Sequence, residues 1–516
     1  MTLSKPSSVL LLEPFHVPAG FERIDATHLI HKHDEFPVDF MAYAAGLIYA
    51  KTKFMASRFH SAPLGLAQVS AILKERGIQT SHEPFLLDAI KRQLADQEIE
   101  RRIRGHDYDE AWLSVGSQDE AKEAIRYAKI LKAIDPSKPV VLGGIFPTFY
   151  PAWFMEQPGI DAVFRGPAED AVRAYVAQHG RAAKDVPGLC YKRDGHSIIA
   201  SSPAPQPDQS TLPPMDLAGV CLDRYMKDNP FANVITSRGC PFACPFCSHA
   251  AYWGTKVQYR KIENVRAELR AFEDHGCKAG YMVDSAFTLN EAHVRRFVDA
   301  WRAEGFTMKL AFETRADHFG KDMAALCKGF SPALAWFGGE SGSPAVLAKL
   351  PGKQAGGGKK HLDDLRTGVR HAKAAGIMSG TSWVIGLPGE TAETTAQTER
   401  FILELMDLGM DIADVRNLQI FPGTDYFEHA AEWGIEIGDG GIRLDKGRWQ
   451  EAINHRIPTM TAGEIAAATR RIQASIAARW KASPEFPRVM RALGAVQFLA
   501  RCKKVATALR RESAQA

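Results

Sequence analysis

The chain has 516 residues, 45% of them hydrophobic and 24% charged, with a formal charge of +4 at pH 7. That length supports two to four domains with ordinary cores, and so small a charge excludes a molecule that grips nucleic acid electrostatically over its whole surface. Eight cysteines are too few for a disulfide scaffold, and the N-terminal MTLSKPSSVLLLEPFHV lacks a signal-peptide pattern, so a reducing, cytoplasmic setting is expected. The apolar stretch PVDFMAYAAGLIYA (37–50) is too short to span a bilayer, so no membrane partner is expected.

In chain order, the first part alternates strand and helix. SVLLLEP (8–14) is a continuous apolar run, as a buried parallel strand requires. PLGLAQVSAILKERG (63–77) has helical spacing and stops at Gly77; DEAWLSVGS (109–117) is a strand; DEAKEAIRYAKILKAIDP (119–136) is an amphipathic helix. PVVLGGIFPT (139–148) predicts a third strand, and IDAVFRGPAEDAVRAYVAQHG (160–180) a strand, turn and helix. This rhythm predicts a doubly wound, Rossmann-like parallel sheet over 1–200. Residues 15–62 are long for a first connection and read as a lid or local substructure. Asp194-Gly195 marks a hairpin, and SPAPQPDQSTLPPMD (202–216) opens a Pro-rich linker, 201–229.

Strand–helix alternation then resumes over 230–440. Strands are expected at 233–238, 280–285, 309–314, 334–340, 380–386 and 414–421, which predicts a partial (β/α)6 barrel. The end, 441–516, is a helical region with 15 Lys/Arg against 5 Asp/Glu. Its charge reads as a solvated helix face rather than an RNA site. THLIHKH (27–33) and GKQAGGGKK (352–360) read as a solvated loop and a flexible insertion; the latter lacks the order of a phosphate-binding loop.

The chemistry concentrates in TSRGCPFACPFCSHAAYWG (236–254), where Cys240, Cys244 and Cys247 follow a strand. Pro241 and Pro245 forbid a helix there and favour a loop that can wrap thiolates around one centre. A zinc site with His249 as fourth ligand is one reading. The other is a [4Fe–4S] cluster, which normally takes four cysteines and here would keep one iron open.

C-x3-C-x2-C at the end of a first barrel strand, with Phe246 before the last cysteine, resembles the radical S-adenosylmethionine (SAM) superfamily. The resemblance implies that Cys240, Cys244 and Cys247 hold the cluster and that its open iron chelates SAM, which is cleaved to a 5′-deoxyadenosyl radical. It further implies Asp284 near the SAM amino group, Glu313 and Arg315 facing the barrel with Arg315 on the SAM carboxylate, and Glu340 and Ser341 on ribose or carboxylate. The backbone near Ile385 and Gly386 would lie beside adenine.

The preceding doubly wound domain, with PLGLAQVSAILKERG, LSVGS, PVVLGGIFPT and FRGPAED, resembles the cobalamin-binding subfamily. Ser114, Ser117, Gly143 and Gly144 would then flank the cobalamin tail. His16 stands at the wrong spacing in EPFHVPAG to be assigned to cobalt. The implied activity is methylation of an unactivated carbon, or of phosphorus, in a small molecule, served by an electron donor such as flavodoxin or ferredoxin. A radical cyclase or rearrangement enzyme is the alternative within the family, and a non-catalytic metal-binding module the alternative outside it. The cysteine triad of a methylthiotransferase is missing, because no cysteine precedes Cys190.

Overall fold

The computed structural model describes residues 5–14, 61–89, 94–177, 185–193, 196–200, 202–228, 230–277, 279–330, 332–351, 357–438, 453 and 455–482. His16, the 27–33 histidines, most of 15–62 and the basic run at 501–512 lie outside them.

The first unit is a seven-stranded sheet. Its strands are β1 (Ser8–Leu12), β2 (Gln79–Glu83), β3 (Glu110–Ser114), β4 (Val140–Gly143), β5 (Ala162–Phe164), β6 (Leu189–Arg193) and β7 (His196–Ile198), in the order β2-β1-β3-β4-β5-β6-β7. The first five are parallel; β6 and β7 return antiparallel. Helices α1 (Leu64–Glu75), α2 (Gln118–Ile134) and α3 (Glu169–Ala177) cover the faces. β1 is apolar throughout because both its faces are buried: Val9 and Leu11 enter one core, Leu10 and Leu12 the other. β2 has no such signal. QTSHE is polar because it is an edge strand, exposed at Gln79. The third expected strand ends at Gly143, five residues early. Gly144 turns the chain at φ +112° and a short helix, Ile145–Phe149, follows.

The second unit is a sheet of six parallel strands, β8 (Phe231–Val234), β11 (Ala279–Met282), β12 (Lys309–Thr314), β13 (Leu334–Glu340), β14 (Met378–Ile385) and β15 (Ile412–Asn417), neighbours in that order. Helices α4 (Ile262–Asp274), α5 (Glu291–Glu304), α6 (Lys321–Cys327), α7 (Gly357–Ala375) and α8 (Ala392–Leu408) wrap one side. The other side is the lumen, floored by Phe231, Tyr281, Ala311, Leu334, Trp336 and Ile412. The expected first strand, 233–238, is broken in two. Thr236 N–H leaves the sheet to bond Asp284, and β9 (Ser237–Arg238) pairs antiparallel with β10 (Gln258–Tyr259).

The Pro-rich stretch is a packed strap rather than a free linker. Leu212, Met215 and Leu217 are buried, Met215 N–H donates to Glu268 in α4, and Gln68 in α1 donates to the Pro213 carbonyl. Helix α9 (Ala462–Lys481) covers the last barrel strand, with Gln473 donating to the Val415 carbonyl and Thr469 to Asn417. Among the described residues no helix is long and apolar enough to cross a membrane.

Candidate active site

The cysteine segment begins where β9 ends. Gly239, at φ +91°, lies so close to the strand leading into β10 that a Cβ would fall 2.2 Å from the Lys256 carbonyl oxygen. Only glycine fits that turn. Cys240 N–H donates to the Gly254 carbonyl and Cys247 N–H to the Cys244 carbonyl, which ties the loop into a ring. Burial raises the Cys247 thiol pKa, backbone N–H groups of Ala250 and His249 oppose that rise, and Cys240 and Glu340 add to it. Cys244 acts on Tyr426, whose ring packs on Phe246 and whose N–H donates to the Pro245 carbonyl. All three thiols are free of disulfides.

This donor set fits a cluster. Among the described residues no three His, Cys, Asp or Glu side chains converge on a point that would hold one metal ion. Soft thiolates gathered on one loop are the donor type that an iron–sulfur cluster takes. His249 turns its Nδ1 to Ser285 Oγ at 2.5 Å, a hydrogen bond that ties it to the segment after β11.

The residues expected around SAM divide. Glu340 ends β13 at φ +62°, just past a bulge at 338–340, and acts electrostatically on Cys247. A non-glycine residue held in that region is strained, and here the strain sits beside the cysteine loop. Arg315 places its guanidinium 3.7 Å from the centroid of Phe242, inside that loop, while Nε and Nη2 donate to Asp317. Glu313 lies on the lumen side, accepting from Tyr281 O–H, next to Trp336 in register.

The structure gives three of these residues partners within the protein. Asp284 accepts from Thr236 N–H at 2.8 Å and from the Thr236 and Ser237 hydroxyls at 2.5 Å each; its oxygens are committed to anchoring the start of the cysteine segment. Burial raises its pKa against those bonds. Ser341 is fully buried and faces Thr398 of α8 at 3.3 Å, away from the lumen. Ile385 is buried in the core and its carbonyl accepts from Leu418 N–H.

Gly386 reveals a residue the motif reading passed over. Its N–H and that of Leu387 donate to Glu390 Oε2 at 2.6 and 3.2 Å, and its carbonyl accepts from His455. Burial lifts the Glu390 pKa to about 7, against those two bonds. A raised acid pKa favours folding while the group is protonated. That contribution is full below about 4.5 and lost as pH climbs through 7, at most about 3 kcal/mol. Glu390→Gln, which keeps the accepting oxygen, is therefore expected to unfold at higher urea than wild type at pH 8 and to lose that advantage at pH 5.

In the first unit the strand order reverses between β1 and β3, and the carboxyl ends there form the ligand crevice. Ser114 stands opposite Gly143 in register, and Ser117 is the N-cap of α2 without using its hydroxyl for the cap. A Cβ on Gly144 would meet the Val115 carbonyl oxygen at 2.4 Å, whereas one on Gly143 would meet only Phe164 Cβ, at 3.9 Å. A ligand tail can therefore approach the Gly143 backbone, which fits the cobalamin expectation. Beside this crevice runs the seam to the cysteine segment. Phe149, five residues past Gly144, packs edge-on to Tyr252, and Tyr252 O–H donates to the Gly166 carbonyl at 3.4 Å.

The B12 binding domain family matches residues 56–176 and the Radical SAM superfamily matches 234–402. An uncharacterized methyltransferase of Pyrococcus horikoshii is 31% identical over 378 residues, covering 71% of this chain and 78% of that relative. An anaerobic magnesium-protoporphyrin IX monomethyl ester cyclase of Synechocystis is 26% identical, covering 75% of each chain. Among solved structures, the radical SAM methyltransferase TsrM of Kitasatospora setae, with cobalamin and a [4Fe–4S] cluster bound, superposes with a TM-score of 0.64 at 19% identity, over 91% of this chain and 85% of that one. The three-cysteine loop on the first barrel strand and the glycine-lined crevice on a 2-1-3-4-5 sheet agree with these matches: the chain belongs to the radical SAM enzymes that carry a B12-binding domain, a family that includes methyltransferases.

Proposed function

We propose that this protein is a cobalamin-dependent radical SAM methyltransferase acting on an unactivated carbon, or on phosphorus, of a small molecule or natural-product intermediate. The observation that carries the reading is the seam: Tyr252, five residues past Cys247, packs on Phe149, five residues past Gly144. It sets a cysteine loop and a B12-binding crevice side by side. When bound, the [4Fe–4S] cluster supplies the electron that cleaves SAM, and cobalamin supplies a methyl group. Cys240, Cys244 and Cys247 hold the cluster. Glu340 and Arg315 stand at the loop to orient SAM, with Phe246 packing the loop against Tyr426. Ser114, Ser117 and Gly143 border the cobalamin tail, and Gly144 shapes the turn. Glu313, Tyr281 and Trp336 line the lumen in which the substrate is shielded from water. We infer a cytoplasmic setting and a flavodoxin or ferredoxin as electron donor from the family resemblance.

Anaerobic reconstitution followed by mass spectrometry of the SAM products tests the reading. 5′-Deoxyadenosine together with S-adenosylhomocysteine is the expected result. Deoxyadenosine alone moves the assignment to a radical cyclase, and no SAM cleavage moves it to a non-catalytic binding module.

A further inference from the structure

Arg238 ends β9, two residues before Cys240. Its Nη1 bonds Glu169, the first residue of α3 in the B12-binding unit, and the two side chains are 4% and 6% exposed. The same guanidinium lies 4.3 Å from the centroid of Trp253, at the far end of the cysteine segment. One side chain thus joins three things: the entry to the cysteine loop, its exit, and the B12-binding unit.

Cohesion does not explain this pair. A buried ion pair is weak glue, since well-packed apolar residues of similar volume often hold as well or better. This pair is also incompletely satisfied, for Glu169 Oε2 and Arg238 Nε are buried with no hydrogen-bond partner. What an ion pair imposes, and an apolar contact does not, is one register. Beside the cysteine loop the other contacts are softer, the Phe149–Tyr252 rings at 6.5 Å and the Tyr252 bond at 3.4 Å; farther from it the Asn233–Ser61 hydrogen bond and the 202–216 strap also join the units.

We propose that Glu169 and Arg238 are positioning residues whose ion pair fixes the B12-binding crevice in one register relative to the cysteine loop. Neither residue touches reacting atoms. Their effect is on the distance between the two cofactor sites, so the inference rests on the methyltransferase reading for its purpose and on the seam for its geometry.

The test uses the full chain, anaerobically reconstituted with iron and sulfide and loaded with hydroxocobalamin, then reduced so that cobalt and cluster are both paramagnetic. Pulsed dipolar electron paramagnetic resonance reads the cobalt–cluster distance. A second reading, independent of either cofactor, comes from spin labels introduced as unnatural amino acids at exposed Ile199 and Arg295, one on each unit. Wild type is expected to give one narrow distribution in both. Glu169→Leu combined with Arg238→Met is expected to keep iron content, cobalamin content and thermal midpoint while both distributions broaden or shift. Unchanged distributions in that double variant would overturn the proposal, because cohesion alone would then account for the pair. Should the double variant fail to fold, Arg238→Lys serves: it keeps the charge but loses the planar guanidinium that reaches Glu169 and Trp253 together, and the same broadening is expected, with an unchanged distribution again overturning the proposal. If wild type takes up no cobalamin, the functional reading falls, while the label distances still decide whether the ion pair sets the register.

Discussion

Cys244→Ala is expected to abolish 5′-deoxyadenosine formation from SAM and to strip most of the iron from the reconstituted protein, with the fold intact. The loop turn at this position is made by backbone, Cys247 N–H to the Cys244 carbonyl, so alanine keeps the turn and removes only the sulfur. Two remaining thiolates cannot hold a cluster that needs three and keeps its fourth site for SAM. His249→Ala is the paired control. Its ring nitrogen is bound to Ser285, so the variant is expected to retain the cluster and its absorbance. Cleavage of SAM by Cys244→Ala, or loss of iron in His249→Ala, would show that a different ligand set operates.

Gly143 and Gly144 are adjacent, yet opposite outcomes are expected from them. Gly144→Ala forces a side chain onto φ +112° and drives a Cβ to 2.4 Å from the Val115 carbonyl oxygen. Backbone strain alone costs about 1–3 kcal/mol, and the clash adds to it, so a lowered thermal midpoint is expected whether or not cobalamin is present. The Cβ of Gly143→Val meets only Phe164 Cβ, at 3.9 Å. Its midpoint without cofactor is expected to stay near wild type, while cobalamin titration followed by visible absorbance loses affinity, because the added methyls occupy the crevice. If Gly143→Val bound cobalamin as tightly as wild type, the tail would have to run elsewhere.

Local patterning carried the reading a long way. The 3.6-residue and two-residue periods placed all six barrel strands within a few residues, and 309–314 and 334–340 matched in full. Burial is what makes that possible: a parallel strand covered on both faces must be apolar along its length. Where burial is absent the signal is absent too, as in the polar edge strand β2. Periodicity is likewise blind to Gly144, whose turn ends a strand that its apolar neighbours would have prolonged.

The site was legible in kind and less so in detail. Three cysteines at x3 and x2 spacing after a strand point to a metal centre by residue type, and the resemblance to the radical SAM superfamily is what favours a cluster over zinc. Which carboxylate faces that loop is a matter of side-chain direction. Asp284 and Glu340 stand in comparable places at strand ends, but Asp284 is turned into bonds with Thr236 and Ser237, while a bulge and a left-handed backbone bring Glu340 towards Cys247. Ser341, one residue on from Glu340, turns to Thr398 of α8 instead. Arg238 lay inside the quoted cysteine stretch and carried no signal of its own, for its meaning comes from Glu169, a contact made only when the chain closes; Glu390 bonds Gly386 within one local turn, and it is burial that gives it its meaning. Sequence by itself therefore determined the two folds, because these depend on burial pattern, and through its family resemblance the cofactor chemistry. The tertiary structure alone decided how the two sites are held against each other, because that register rests on a few buried contacts between residues far apart in the chain.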